Sequence, residues 1–145
     1  MMTYENITMI ISVIALMISL ISLIFSKINM IKVEKIYYGQ SEISIRNSIS
    51  NAKIRLTDIL SNANTNQNEY TRQCIKVAIE ELLNAYEEAC AKYLDAKIDR
   101  KRFRKTYSAE IRNIIESKKF SKYFEFGSKY EAVKKVYNEW FNLEK

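Results

Sequence analysis

The amino-acid sequence predicts an all-α protein, with a single N-terminal transmembrane helix followed by a cytoplasmic helical bundle. The 145-residue chain has no proline and only two glycines, and both residue types are typical of turns and sheet-rich folds. In addition, residues 7–25 form a run of 19 residues without a charged side chain. These observations favour helices throughout and one segment that enters a bilayer.

The uncharged run has the length of a membrane span. As a helix it would be about 28 Å long, which matches the hydrocarbon core of a bilayer. Twelve of its residues are Ile, Leu, Val or Phe. A cleaved signal peptide would need a basic start and a cleavage site between small residues, and the sequence provides neither. We therefore predict that residues 1–26 are a transmembrane anchor.

The charges beside this segment predict its orientation. Lys27, Lys32 and Lys35 follow it, and no lysine or arginine precedes it, so the positive-inside rule places the C-terminal domain in the cytoplasm. Cys74 and Cys90 fall in one predicted helix about 24 Å apart, too far to pair within it. Two unpaired thiols are typical of a reducing compartment.

Small and hydroxyl side chains recur along the span at alternating spacings of four and three. We call this set the serine seam: Thr8, Ser12, Ala15, Ser19, Ser22 and Ser26. The pattern extends outward to Glu5 and inward to Asn29. Small residues and hydroxyls mediate helix association in lipid, and this period predicts a parallel homo-oligomer. The alternative is that each hydroxyl bonds a carbonyl of its own helix.

An oligomer built on the serine seam could be open or closed. Four or more helices could enclose a hydroxyl-lined pore, with a ring of Glu5 side chains at the outer mouth favouring cations. A tighter bundle would be closed by the same serines. The sequence leaves both states open.

The rest of the chain divides into residues 27–62, predicted as juxtamembrane and connecting helices, and residues 63–145, predicted as a helical domain. We expect a break at Gly39 and a polar loop over residues 61–68. A helix is predicted over residues 70–96, and Asp99 is expected to cap the next one. An aromatic connector closed by Gly127 precedes a last helix, opened by a capping box at residues 128–131. The prediction is a bundle of three or four helices.

The densest charged feature lies over residues 97–105, where six of nine side chains are basic. We predict an anion site from five of them, here called the basic run: Arg100, Lys101, Arg102, Arg104 and Lys105. The charges could bind a nucleotide, a phosphate or anionic lipid heads. No glycine-rich phosphate loop accompanies them, so a solvated helix face is the alternative.

Several segments resemble a family of small bacterial membrane-anchored proteins. The resemblance lies in residues 70–95, 97–103, 107–115 and 130–140, about half of the chain. Some of these proteins are similar to transmembrane effectors of antiviral defence systems, in which a nucleotide signal controls membrane permeability. The resemblance implies a location in the inner membrane of a bacterial cell.

The composition argues against catalysis. The chain has no histidine, which is the commonest general base and metal ligand. Glu80, Glu81, Glu87 and Glu88 have the spacing of solvated helix charges. We expect no enzymatic activity, catalytic residue, cofactor or metal. The expected partners are the chain itself, the bilayer and an anionic nucleotide, without duplex nucleic acid. The sequence favours an oligomeric membrane effector over a membrane-anchored interaction module.

Overall fold

The computed structural model describes residues 4–63, 68–125 and 127–142. Within these ranges the chain forms four α-helices and one 3-10 turn, and no strand occurs in them. The helices are α1 (Tyr4–Ala63), α2 (Glu69–Leu94), α3 (Arg100–Glu116) and α4 (Glu131–Phe141), with the turn at Ser121–Tyr123. The all-α prediction is confirmed. The loop predicted over residues 61–68 is wrong for residues 61–63, which continue α1, while residues 64–67 of that loop and Phe126 of the predicted connector lie outside the described residues.

The chain divides into two compact units, Met1–Tyr37 and Tyr38–Lys145. The sequence placed divisions after residues 26 and 62 instead. The second unit includes the later part of α1 because Ile45, Ile49 and Ala52 join the hydrophobic core of that unit. From Tyr38 on, the stretch predicted as a connector therefore packs as part of the helical domain.

The expected break at Gly39 is wrong, since α1 includes this residue. A glycine inside a helix costs about 1 kcal/mol relative to alanine and does not by itself end the helix. Gly127 is the only described glycine with a positive φ, at 80°. This residue, unlike Gly39, adopts a backbone conformation that favours glycine.

Within the first unit, α1 is apolar and its side chains lie on the surface. Leu16 and Leu23 are 62% and 68% exposed. Among the described helices, α1 is the one that is long and apolar enough to cross a membrane. None of the described residues of the first unit covers these two side chains.

The core of the second unit is built mainly from α2, α3 and α4. The helix predicted over residues 70–96 is confirmed as α2, in which Leu83, Ala89 and Cys90 are fully buried. Helices α3 and α4 contribute Phe103, Ile111, Ile114, Val133, Val136 and Trp140. Burial of such aliphatic and aromatic side chains stabilises the fold by about 1.5–3 kcal/mol for each of the larger ones.

Polar residues cap two of these helices as their types predict. The side chain of Asn68 accepts a hydrogen bond from Thr71 N at 2.8 Å and opens α2. Asp99 Oδ1 accepts one from Arg102 N at 3.0 Å and opens α3, so the predicted cap at Asp99 is confirmed. Each cap satisfies a backbone N–H that lacks a partner within its helix.

The predicted capping box at the start of α4 is wrong. Ser128 Oγ accepts a hydrogen bond from Tyr130 N at 3.1 Å, and Tyr130 gives no side-chain cap. The cap comes from α2, where the Glu87 carboxylate accepts hydrogen bonds from Ala132 N at 2.8 Å and Val133 N at 3.0 Å. A carboxylate at this position also interacts favourably with the helix dipole.

Candidate functional site

The serine seam lies in the first unit, on the exposed surface of α1. Three of its hydroxyls donate to the carbonyl oxygen four residues earlier: Thr8 to Tyr4 at 3.0 Å, Ser12 to Thr8 at 2.9 Å and Ser19 to Ala15 at 3.0 Å. These bonds are the ones that the alternative interpretation predicted, since each hydroxyl proton is satisfied within its own helix. Each oxygen still has a lone pair that can accept a hydrogen bond from a neighbouring helix or from water.

The remaining faces of this part of α1 differ sharply from the serine seam. Ile11, Ile14 and Leu20 are large, apolar and between 50% and 61% exposed. Their surface suits lipid chains, whereas the seam suits close approach of another helix. Glu5, at the outer end of the pattern, lies in the first turn of α1.

The basic run occupies the first turns of α3, and its arginines make contacts within the second unit. Arg100 Nη2 lies 2.9 Å from Glu139 Oε1, and its guanidinium carbon lies 4.5 Å from the centroid of the Tyr93 ring. Arg102 Nη1 lies 2.9 Å from Glu42 Oε2 on α1. The arginines thus tie α3 to α4 and α1.

Arg104 makes a third contact of this kind. Its guanidinium donates to the Trp140 carbonyl oxygen at 3.4 Å and lies 6.0 Å from the centroid of the indole. Lys101 and Lys105 differ from the arginines, because both are exposed and neither has an ion pair or hydrogen bond to any described residue. Within the basic run, these two lysines are the members whose charges have no ion pair or hydrogen bond to a described residue.

The cavity beside the basic run is small. It has a volume of about 20 Å³ and Arg102 is the one member of the run that lines it. Pockets that enclose drug-sized ligands usually measure about 300–1,000 Å³. The basic run therefore forms an exposed surface at this cavity, which is too small to enclose a nucleotide.

A larger cavity of about 640 Å³ lies between the later part of α1 and α2. Glu80, Glu81 and Glu88 line it, together with Arg55, whose Nη1 lies 2.9 Å from Glu81 Oε2. Its acidic lining does not suit an anion. Glu80, Glu81 and Glu88 thus keep the surface positions predicted for them, whereas Glu87 caps α4.

Two polar networks inside the second unit were not predicted. In one, Glu110 accepts a hydrogen bond from Tyr86 Oη. Its Oε1 also forms an ion pair with Lys53 Nζ, 2.7 Å away. Burial, and then the hydrogen bond to Glu110, raises the pKa of Tyr86 well above its usual range, so the phenol stays a donor. The residues are 24 and 57 positions apart in sequence, and no local pattern could have connected them.

The second network joins α2 and α4. Trp140 Nε1 donates to Tyr93 Oη at 2.9 Å, and Tyr93 Oη donates to Glu139 Oε1 at 2.7 Å. Arg100 binds the same carboxylate oxygen. This network accounts for Arg100 as a structural residue, with its charge balanced by Glu139.

The two cysteines are unpaired, as predicted. Cys90 is fully buried, and burial raises the pKa of its thiol. The thiol therefore stays protonated and unreactive. Among the residues that the structure describes, no three His, Cys, Asp or Glu side chains are grouped as a metal site would require.

We expect the two lysines to decide whether the basic run binds an anion. Replacing Lys101 and Lys105 together with glutamate should weaken binding of a fluorescent ATP analogue by roughly 100-fold, since each charged hydrogen bond contributes about 1.5 kcal/mol or more. Fluorescence anisotropy with the full chain in detergent measures it. Arg102→Glu is unsuitable alone, because it also removes the ion pair to Glu42. Unchanged affinity in a folded double variant would indicate that the basic run is a solvated helix face and not an anion site.

Comparison with protein-family models, with curated proteins and with solved structures finds no match for this chain. The resemblance to transmembrane effectors of antiviral defence therefore stays a prediction.

Proposed function

We propose that this chain is an oligomeric single-pass membrane effector that controls membrane permeability, held in the inner membrane of a bacterial cell with its helical domain in the cytoplasm. The observation that carries the proposal is the serine seam. Every small or hydroxyl residue between residues 7 and 25 belongs to it. A simple anchor needs only apolar side chains, so this arrangement calls for a further role.

The exposure of the apolar side chains supports a membrane span. A core helix of a soluble protein would bury these side chains. In the most apolar 18-residue stretch of α1, however, no residue is buried. Leaving a single Leu or Ile in water costs about 1.5–3 kcal/mol relative to burial. A bilayer covers all of them at once.

The hydroxyls support a bundle that can hold water. Because Thr8, Ser12 and Ser19 donate their protons to their own helix, their oxygens are left as acceptors. A ring of acceptor oxygens in a parallel bundle suits a hydrated cation, and Glu5 would add negative charge at the outer mouth. Small side chains also let the helices close tightly, so one seam serves an open and a closed state.

Control is assigned to the cytoplasmic domain. An anionic nucleotide would bind the exposed charges of Lys101 and Lys105, in a site completed by a neighbouring copy. Binding between copies would change the spacing of their membrane helices, since α1 belongs to both units of one chain. The proposed effector needs no catalytic residue for this coupling.

A membrane-anchored interaction module is the second candidate function. It is favoured by the contacts of Arg100, Arg102 and Arg104, which account for most of the basic run without a ligand. In that case the domain would bind a protein partner and the serine seam would only pack helices together.

Disulfide cross-linking tests the assembly on which the proposal depends. In the full chain with Cys74→Ser, single cysteines at Ser12, Ser19 and Ser22 should form dimers on oxidation in liposomes. Cysteines at Ile11, Ile14 and Leu20 should not, because Cα atoms more than about 7 Å apart cannot be bridged. Cys90 can remain, as it is fully buried. Equal cross-linking around the helix would contradict the serine seam as an interface.

A further inference from the structure

The later part of α1 has two opposite faces within the second unit. One is buried in the core, where Ile45, Ile49 and Ala52 are 3–4% exposed. The other carries Ile43 and Ile54, which are 62% and 57% exposed. Large aliphatic side chains on the solvent face of a helix are unfavourable unless another surface covers them.

Arg46 on this outer face makes a side-chain hydrogen bond with Tyr107 of the domain itself, and the row of residues beside it is uncharged. Spacings of three and four residues connect five exposed positions, here called the outer stripe: Gln40, Ile43, Asn47, Ser50 and Ile54. The solvated face of a helix is usually rich in Lys and Glu, and 28% of this chain is charged. The charged neighbours Lys53 and Arg55 instead form ion pairs with Glu110 and Glu81 of the domain itself.

This spacing is that of a coiled-coil seam. Gln40, Asn47 and Ile54 occupy one core position of the heptad, and Ile43 and Ser50 occupy the other. An asparagine at the first type of position pairs with its equivalent in an identical parallel helix, which fixes register at some cost in stability. A second copy of the chain supplies this match because its own Asn47 occupies the same position.

The sequence spacing also indicates which molecule covers the outer stripe. Counting from Ser26 in alternating steps of three and four gives Asn29, Val33 and Ile36, and then every member of the outer stripe. The serine seam and the outer stripe thus follow one unbroken heptad count. An identical chain matches both at every position of this count.

We propose that the outer stripe is a contact between copies of this chain, in which Gln40, Ile43, Asn47, Ser50 and Ile54 face the same residues of a parallel, in-register neighbour. This rests on the parallel self-association in the proposed function and extends it into the cytoplasmic domain. Burial of Ile43 and Ile54 supplies the apolar contact, and Asn47 fixes the register. The charged positions of each domain are then held at a defined distance from those of the next copy.

Two serines of the same helix turn provide a matched test. Ser50 belongs to the outer stripe, whereas Ser48 is exposed on the side of α1 that lines the acidic cavity. In the full chain with Cys74→Ser, reconstituted in liposomes, we expect oxidation to cross-link Ser50→Cys into dimers and leave Ser48→Cys monomeric. Adding Ile54→Glu should cause loss of the Ser50→Cys cross-link by charge repulsion, while helix content is unchanged because Ile54 is already exposed.

Ser19→Cys, measured in parallel, separates this inference from the proposed function. Cross-linking at Ser19 without cross-linking at Ser50 would overturn the outer stripe as an interface and leave membrane self-association intact. Cross-linking at Ser50 alone would support the outer stripe and contradict the serine seam. Equal cross-linking at Ser48 and Ser50, or none at Ser19 and Ser50, would overturn the proposed contact.

Discussion

Replacing Ser19 with leucine is expected to abolish ion flux through liposomes that contain the full chain, while the protein still inserts. Ser19 is central in the serine seam, and its hydroxyl bonds the Ala15 carbonyl. A leucine there adds a bulky apolar group to every copy, so it either plugs a hydrated pathway or prevents the helices from meeting. The measurement is potassium release from loaded liposomes, with and without added nucleotides.

Two controls separate the causes of that loss. Ser19→Ala keeps the small size and should retain oligomerisation, with flux reduced by the loss of one ring of oxygens. Ile18→Leu changes a large exposed side chain beside the seam and should conduct like the wild type. Wild-type flux from Ser19→Leu would contradict a pore along the seam. If the wild type cross-links along the seam yet never conducts, the anchored interaction module becomes the better explanation.

Replacing Trp140 with alanine is expected to destabilise the second unit by about 3–5 kcal/mol. The indole is 4% exposed and lies edge-on to Tyr93, with ring centroids 5.2 Å apart. Its removal leaves a cavity and takes the donor from Tyr93 Oη. Domains of this size are stable by only about 5–15 kcal/mol, so this variant should be close to unfolding.

Thermal unfolding followed by circular dichroism would measure the effect as a lower melting temperature. A loss of this size corresponds to roughly 12–40 °C in a domain of about 100 residues. Trp140→Phe keeps an aromatic ring without the N–H group and should lose less. Tyr70→Ala, at a side chain that is 77% exposed, should change little. A Trp140→Ala domain as stable as the wild type would contradict the central role given to this residue.

The helices could be predicted because their signals are local. The helix predicted over residues 70–96 matches α2 to within a few residues. Asp99 could be recognised as the start of α3 because its own side chain caps the helix. The prediction of a break at Gly39 was wrong because the unfavourable helix propensity of glycine, about 1 kcal/mol, is small beside the packing energy of a long helix. The prediction of a capping box failed for a related reason. Ser128 matched the local pattern, but the free N–H groups at the start of α4 are bound by the Glu87 carboxylate of α2.

The basic run illustrates where a sequence stops being informative about a site. Charge density is visible in one dimension, whereas the partner of each charge depends on the fold. Glu42 and Glu139 lie 60 and 39 residues from the arginines that they bind. Only the folded domain distinguishes Arg100 and Arg102, which hold helices together, from Lys101 and Lys105, whose charges lack such contacts.

The cap that Glu87 supplies to α4 sets an order of events during synthesis. Helix α4 has 11 residues, and helices shorter than about 12–15 residues are marginal on their own in water. It becomes stable only after it has left the ribosome and reached Glu87, which is synthesised 45 residues before Ala132. The apolar N-terminal segment emerges much earlier. In the proposed effector, newly made chains would therefore meet in the bilayer before α4 has docked on its own domain.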